Sequence, residues 1–317
     1  MKQFSRREFV RNSGLAAAGL PLMTVPWGLM PQTGQQSAGL EVHLFSKHLH
    51  FLDPQQASEV AASLGFSGLD LTVRHNGHVE PKAVRDTLPG TIEAIRRGGS
   101  RCSLITTEVE DAEDETDKAV LETAAAEGIT YYRSNWYRYH PDLSMKESIG
   151  RYAQQIAGLS EFNKKLGLTG CYQNHAGTLI GASLWEIDSL LEDADTEFFG
   201  VQYDIRHATV EGGLSWENGL HLMHSKIKTI VLKDFKWSLV DGQWQVVNTP
   251  IGEGMVNFKR YFRLLKDYGI RVPASLHLEY PLGGAEHGEK DLKIDRELVF
   301  HAMKKDLNTV KDLWEQA

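Results

Sequence analysis

From about residue 40 onward, the chain alternates a short apolar or β-branched run with a longer helical stretch, and it does so eight times. Strands separated by helices cannot be joined by tight hairpins, so they must run parallel, with the helices covering the sheet. The predicted runs are 40–45, 68–74, 102–107, 129–133, 168–173, 199–204, 227–232 and 272–278. Helical pattern starts at Asp53-Pro54, where Asp can cap and Pro fits the first turn, and stops before Gly65. Further helices are predicted up to Gly98-Gly99, near 117–127 (closed by Gly128), and over 144–166, 185–191, 258–268 and 298–314. After the seventh run comes a long excursion containing Trp237, Trp244 and the Gly252-Glu253-Gly254 turn. Eight such units predict an α/β fold, a parallel eight-stranded (β/α)8 TIM barrel that fills residues 39–317 as one domain. No Gly-x-Gly-x-x-Gly follows a strand, which removes the main signature of an open dinucleotide-binding sheet.

The N-terminus reads differently. Ser5-Arg6-Arg7-Glu8-Phe9 and Arg11 precede an apolar stretch from Leu15 to Leu29, and 31–39 is a polar linker. A basic head on a moderately apolar run is the design of an export signal, and the paired arginines resemble a twin-arginine type. Residues 1–38 are therefore expected to be a signal peptide and linker, and the mature protein to be periplasmic or otherwise exported. Removing that segment takes away a net charge of +3 and leaves the rest of the chain at −11. So acidic a protein is not expected to bind nucleic acid, which needs a basic surface. No run of about 18 apolar residues follows, so no stable membrane span is expected after signal removal. Cys102 and Cys171 lie far apart in strand-like runs without metal spacing and are expected to be buried free thiols. The oligomeric state is left open, a homo-oligomer included.

Polar and ionisable residues fall at or just past the C-terminal ends of the apolar runs. They are Arg74 and His78; Arg133; Gln173 and His175; Asp204 and His207; Lys233 and Asp234; and His277 and Glu279. In a parallel barrel those ends converge on one mouth, where such folds place their chemistry. Gln173 and His175 share a strand face, as do His277 and Glu279. Taken singly, each has a structural explanation: a hydrogen-bonded histidine, a helix cap for Asp204, a salt-bridge partner for Glu279. As a set they point to a shared site. Trp136, Tyr137, Tyr139, Trp237 and Trp244 lie in predicted loops at the same mouth, as platforms for sugar rings or as packing.

Several of these segments resemble the xylose-isomerase-like sugar phosphate isomerase/epimerase family. They include Leu44-Phe45-Ser46-Lys47, Gly65 to Arg74, Gly77-His78-Val79 and Tyr172-Gln173-Asn174-His175. Tyr203-Asp204-Ile205-Arg206-His207, Lys233-Asp234-Phe235, Gly252-Glu253-Gly254 and His277-Leu278-Glu279-Tyr280 belong with them. The resemblance implies a TIM barrel, a sugar substrate and a divalent metal (Mn, Mg or Zn) held by residues ending strands five to eight. Carried over, it implies Asp204 and Glu279 as metal ligands, with Gln173 standing where Glu is usual and Val231 where His is usual. An amide oxygen can bind a hard cation, but it cannot act as a base. His207 matches a substrate-contacting histidine of the family.

The chemistry implied is proton removal next to a sugar carbonyl. Glu279 is the candidate base, His207 or His175 a second proton carrier and Lys233 either a cation at the developing oxyanion or a structural partner of Asp204 or Asp234, with Arg74, His78, Arg133, His175 and His277 binding substrate. A phosphate on the substrate is not expected, because no glycine-rich cradle is visible. Elimination or hydrolysis of a keto sugar suits the same set. A barrel that binds sugar without turnover is the reading of another class. A nuclease of the same superfamily is disfavoured by the acidic charge.

Overall fold

Every strand of the barrel follows the sequence pattern, though most are shorter than their apolar runs. The computed structural model describes residues 39–317; the export-signal reading falls on 1–38, outside the described residues. β1 (Val42–Phe45) leads to α1 (Pro54–Leu64), then β2 (Gly68–Val73), α2 (Val84–Arg97), β3 (Leu104–Thr107), α3 (Glu115–Ala126) and β4 (Tyr131–Arg133). α4 (Met145–Leu166), β5 (Thr169–Gln173), α5 (Leu184–Leu190), β6 (Phe199–Asp204), α6 (Ile205–Gly212), α7 (Trp216–Met223) and β7 (Ile227–Leu232) follow. β8 (Asp234–Val240) and β9 (Gln243–Thr249) precede α8 (Phe258–Asp267), β10 (Ala274–Leu276) and α9 (Arg296–Glu315). Strands β1 to β7 and β10 close into a parallel barrel in the order β1-β10-β7-β6-β5-β4-β3-β2.

Local chemistry explains the helix limits. Asp53 and Gln56 form a reciprocal capping box on α1, and Gly65 ends it at φ 86°, a left-handed conformation natural to glycine. Ser144 and Glu147 do the same for α4. Each helix turns an apolar stripe to the sheet. In α8, Phe258, Tyr261, Phe262, Leu264 and Leu265 are buried.

Two elements differ from expectation. α6 starts directly after β6 because the Asp204 side chain caps it, accepting from the His207 backbone N–H at 3.0 Å. The excursion is an antiparallel hairpin, β8 with β9, turned by Asp241 and Gly242, both at positive φ. An Asp-Gly pair between alternating strands is a readable hairpin signal that the strand count had passed over. Asp234 holds its base. Its carboxylate accepts from the backbone N–H groups of Phe235, Gly252, Gly254 and Val256 at 2.8–3.1 Å. Gly254 is required there, because a Cβ would lie 2.2 Å from the Asp234 carboxylate. Asp234 is therefore a loop-organising residue and not part of the polar mouth.

Side chains alternate faces along each strand. The outer faces of β2, β3, β5, β6 and β7 put Leu69, Leu71, Ile105, Tyr172, Val201, Tyr203, Ile230 and Leu232 into the core with the helices. The register aligns Asp70, Thr72, Thr106, Arg133, Gln173, Gln202, Asp204, Val231 and Ser275 on the inner face. A barrel interior filled with polar residues instead of branched aliphatics is costly unless each group finds a partner. The thiols are free as expected, with Cys171 buried and Cys102 half-buried ahead of β3. No described helix is long and apolar enough to cross a membrane.

Candidate active site at the mouth of the barrel

Lys233, just past β7, is the centre of the mouth. Its ammonium lies 3.1 Å from Asp204 Oδ2 and 3.5 Å from both carboxylate oxygens of Glu279, and the side chain is only 4% exposed. Asp204 is fixed on every side. One oxygen caps α6, the other accepts from Gln173 Nε2 at 2.8 Å, and Asn174 brackets its backbone with two hydrogen bonds. Lys47, following β1, adds a second ammonium 3.7 Å from Glu279.

Glu279 is a quarter exposed. Burial raises its pKa, but the ammonium groups of Lys233 and Lys47 outweigh that and hold the carboxyl well below its usual range. Behind it runs a buried chain. Asp70 accepts from Thr106 at 3.0 Å and from Ser275 at 2.6 Å; Ser275 in turn meets His277 Nε2 at 3.1 Å. Ser275 has one proton and gives it to the carboxylate, so His277 must donate from Nε2. That leaves the Nδ1 lone pair of His277 without a partner, 3.7 Å from Glu279. His277 is thus oriented to receive a proton from the Glu279 side. Burial lowers its pKa, so the ring rests neutral.

His207 is set the opposite way. Its Nδ1 accepts from the Ala176 backbone N–H at 3.1 Å and from the Arg206 guanidinium at 2.9 Å. The proton therefore sits on Nε2, which is unpartnered, buried and 3.7 Å from Asp204. Burial, with Lys233 adding to it, drives the His207 pKa well down. His207 is a neutral hydrogen-bond donor at this tautomer, with its Nε2–H turned to the mouth. His175 packs 4.1 Å from the His207 ring and against Trp136.

The structure therefore brings Gln173, His175, Asp204, His207, Lys233, His277 and Glu279 together. Arg74 is linked to them through Phe45, whose ring lies 5.5 Å from the guanidinium and stacks on His277 at 4.1 Å. Arg133 lies deeper, under Trp136. His78 is not in this group. Its Nδ1 meets Thr72 Oγ1 and its ring packs edge-on to His50, a structural arrangement. Tyr137, expected as a loop platform, is buried, with its hydroxyl donating to the Glu110 carbonyl and its ring stacked on Tyr152. Trp136 and Tyr139 are half-buried, while Trp237 and Trp244 are exposed on the hairpin at 42% and 69%. Asp70, Ser275 and Lys47 were missed as site residues. A carboxylate in the six-residue buried run of β2 was the available signal.

The donors at the mouth do not fit the divalent metal that the resemblance implies. Val231 faces inward at the third ligand position and offers no donor. Gln173 turns its NH2 to Asp204, and the ammonium of Lys233 already bridges the two carboxylates. A divalent ion would have to displace that ammonium or sit beside it as a like charge. Among the described residues no group of three His, Cys, Asp or Glu side chains is placed to hold a metal.

The sequence pattern of the family described as Xylose isomerase-like TIM barrel matches residues 58–299. Among solved structures, D-allulose 3-epimerase from Methylomonas sp. is 13% identical at TM-score 0.65, with 87% of this chain and 98% of that chain covered. The 3-keto-D-glucoside 4-epimerase YcjR from E. coli is 11% identical at TM-score 0.62, covering 85% and 99%. A xylose isomerase-like TIM barrel protein from Mycobacterium smegmatis, in complex with magnesium, is 12% identical at TM-score 0.62, covering 87% and 98%. No curated protein matches the sequence. At these identities the likeness shows the fold.

Proposed function

The chain belongs to the xylose isomerase-like TIM barrel family, and from that premise we propose that it is a sugar isomerase-type enzyme that moves a proton next to a carbonyl with one base and a built-in cation. The observation that carries this reading is the Lys233 ammonium held 3.1 Å from Asp204 and 3.5 Å from Glu279. A substrate carbonyl oxygen placed at Lys233 gains an electrophile for the enediolate. Drawing Lys233 toward that oxygen weakens its hold on Glu279, whose pKa then rises, and the carboxylate becomes a stronger base when substrate is bound. His207 Nε2–H supplies a further donor, and the His277 lone pair relays the proton. One base that returns the proton to the neighbouring carbon suits isomerisation. Two-base epimerisation lacks its second carboxylate, because Gln173 takes that place. Trp237 and Trp244 extend the mouth as a platform for the sugar.

The test is deuterium wash-in. Keto and aldo sugars incubated with the protein in D2O are expected to gain deuterium next to the carbonyl by NMR, and Glu279→Gln is expected to abolish it. A protein that binds sugars saturably without exchange would instead be a binding barrel. The single base also favours a second enzymatic reading, elimination from a keto sugar. It would follow the same proton removal with loss of a β-hydroxyl, and a new conjugated absorbance would identify it. We also hold to export through the twin-arginine-type segment. Fractionation of the native host, with Arg6 and Arg7 replaced by Lys as control, tests it.

A further inference from the structure

Arg133 is the least explained charge in the barrel. It rises from the inner face at the end of β4 and is 3% exposed. Among the described residues one of its nitrogens has a protein acceptor, the Thr107 carbonyl at 3.3 Å, and Nε and Nη1 have none. The carboxylates nearby are taken. Asp70 serves Thr106 and Ser275, Asp204 and Glu279 serve Lys233 and Lys47, and the exposed Glu108 accepts from the His75 backbone N–H. Arg74 is the second guanidinium here, and among the described residues neither arginine has a carboxylate at ion-pair distance. A buried guanidinium without its anion is strongly unfavourable, and proteins keep such a group where a ligand completes it.

Resting on the carbonyl chemistry above, we propose that the substrate is a sugar acid whose carboxylate is bound by Arg133 and Arg74 while its carbonyl meets Lys233. Trp136 prepares the geometry. Its ring lies 3.9 Å from the Arg133 guanidinium and its Nε1 donates to the Gln173 carbonyl at 2.9 Å, so the planar fork is held flat. A fork fixed in one plane matches a planar carboxylate edge-on. Burial and the neighbouring Arg74 pull the Arg133 pKa down to about 9, so the group stays charged at neutral pH. Phosphate would need a wider set of donors than two guanidinium forks.

The test is binding by calorimetry with matched probes: D-glucuronate against D-glucose, and 2-keto-D-gluconate against D-fructose, with D-fructose 6-phosphate as the phosphate probe. At least one acid is expected to bind roughly tenfold or more tighter than its neutral parent, since charge-assisted hydrogen bonds contribute at that level. Arg133→Gln is expected to erase the difference, the acid losing far more affinity than its neutral parent. Arg74→Gln, at a half-exposed position, repeats the test should the buried variant fail to fold. The proposal is overturned if neither acid outbinds its parent, if the sugar phosphate binds tightest, or if both variants weaken acid and neutral sugar alike. Because affinity is read and not turnover, a protein that prefers the acid yet exchanges no deuterium would overturn the isomerase reading alone.

Discussion

Glu279 and Lys233 are individually ordinary residue types, and their chemistry comes from what each one touches. Glu279→Gln keeps the shape and removes the base, so we expect kcat to fall by roughly 10²–10⁴ with the fold retained, checked by exchange rate and circular dichroism. Lys233→Met should do two things at once. It removes the electrophile, and it leaves buried Asp204 with neutral donors alone and Glu279 with Lys47 as its one ammonium, a loss of up to about 3–5 kcal/mol, the range for taking one partner from a buried pair. Millimolar Mn2+ is then expected to raise the melting temperature of the variant and not of the wild type, because only the variant has a vacancy for a cation. Stoichiometric metal in wild-type protein from the native host would contradict the built-in cation. The strand-end positions of these residues were legible in the sequence. The tautomers of His207 and His277 were not: Arg206 and Ser275 are near neighbours in the chain, but the proton placement also depends on other elements, through the Ala176 N–H on His207 and through Asp70, which takes the Ser275 proton.

At the scale of elements, the hairpin β8–β9 is tied to the site from two directions. Asn248 on β9 donates to the Glu279 carbonyl at 3.1 Å and accepts from Arg206 at 2.7 Å, and Asp234 gathers four backbone N–H groups at the base. Asp234→Ala strips those donors of their acceptor, at a cost of roughly 2–4 kcal/mol. Amide exchange is expected to speed up over 250–257 while the strands of the barrel keep their protection. Equal loss of protection everywhere would mean that the loop is not an independent unit. Apolar runs located the strands because a parallel strand buried by helices must be apolar on its outer face. They overstated strand length at 272–278 because the ladder stops where the chain bends into the mouth, although burial continues through Leu278, and at 40–45 because Leu40 and Glu41 lead into β1 at the opposite end. α6 and α7 escaped notice because α6 begins with no loop, straight from the Asp204 cap.

At the scale of the whole molecule, a buried carboxyl outside the proposed chemistry sits one hydrogen bond from Tyr280, the chain neighbour of Glu279. Asp306, on α9, is 1% exposed and accepts from the Tyr280 hydroxyl at 3.0 Å. Burial outweighs that bond and pushes its pKa up to about 7. A carboxyl whose folded pKa lies above its unfolded value, about 3.9, favours folding when protonated. The contribution is full below about pH 4 and is lost as pH rises to about 7, on the order of a few kcal/mol in all. Asp306→Asn keeps the acceptor without the charge. Its melting temperature should match wild type near pH 5 and exceed it at pH 8; the same offset at both pH values would count against the assignment. The sequence by itself determined the barrel and the end of the barrel that carries its polar residues. Apolar period, caps and glycine stops are local signals, and a closed ring of parallel strands is the way to bury eight such units. Only the tertiary structure decided which charges neutralise one another. It seated Lys233 between Asp204 and Glu279, took His78 and Asp234 out of the site, and left Arg133 without an anion. Electrostatic partners are chosen by distance across the barrel, and strand register together with closure sets that distance.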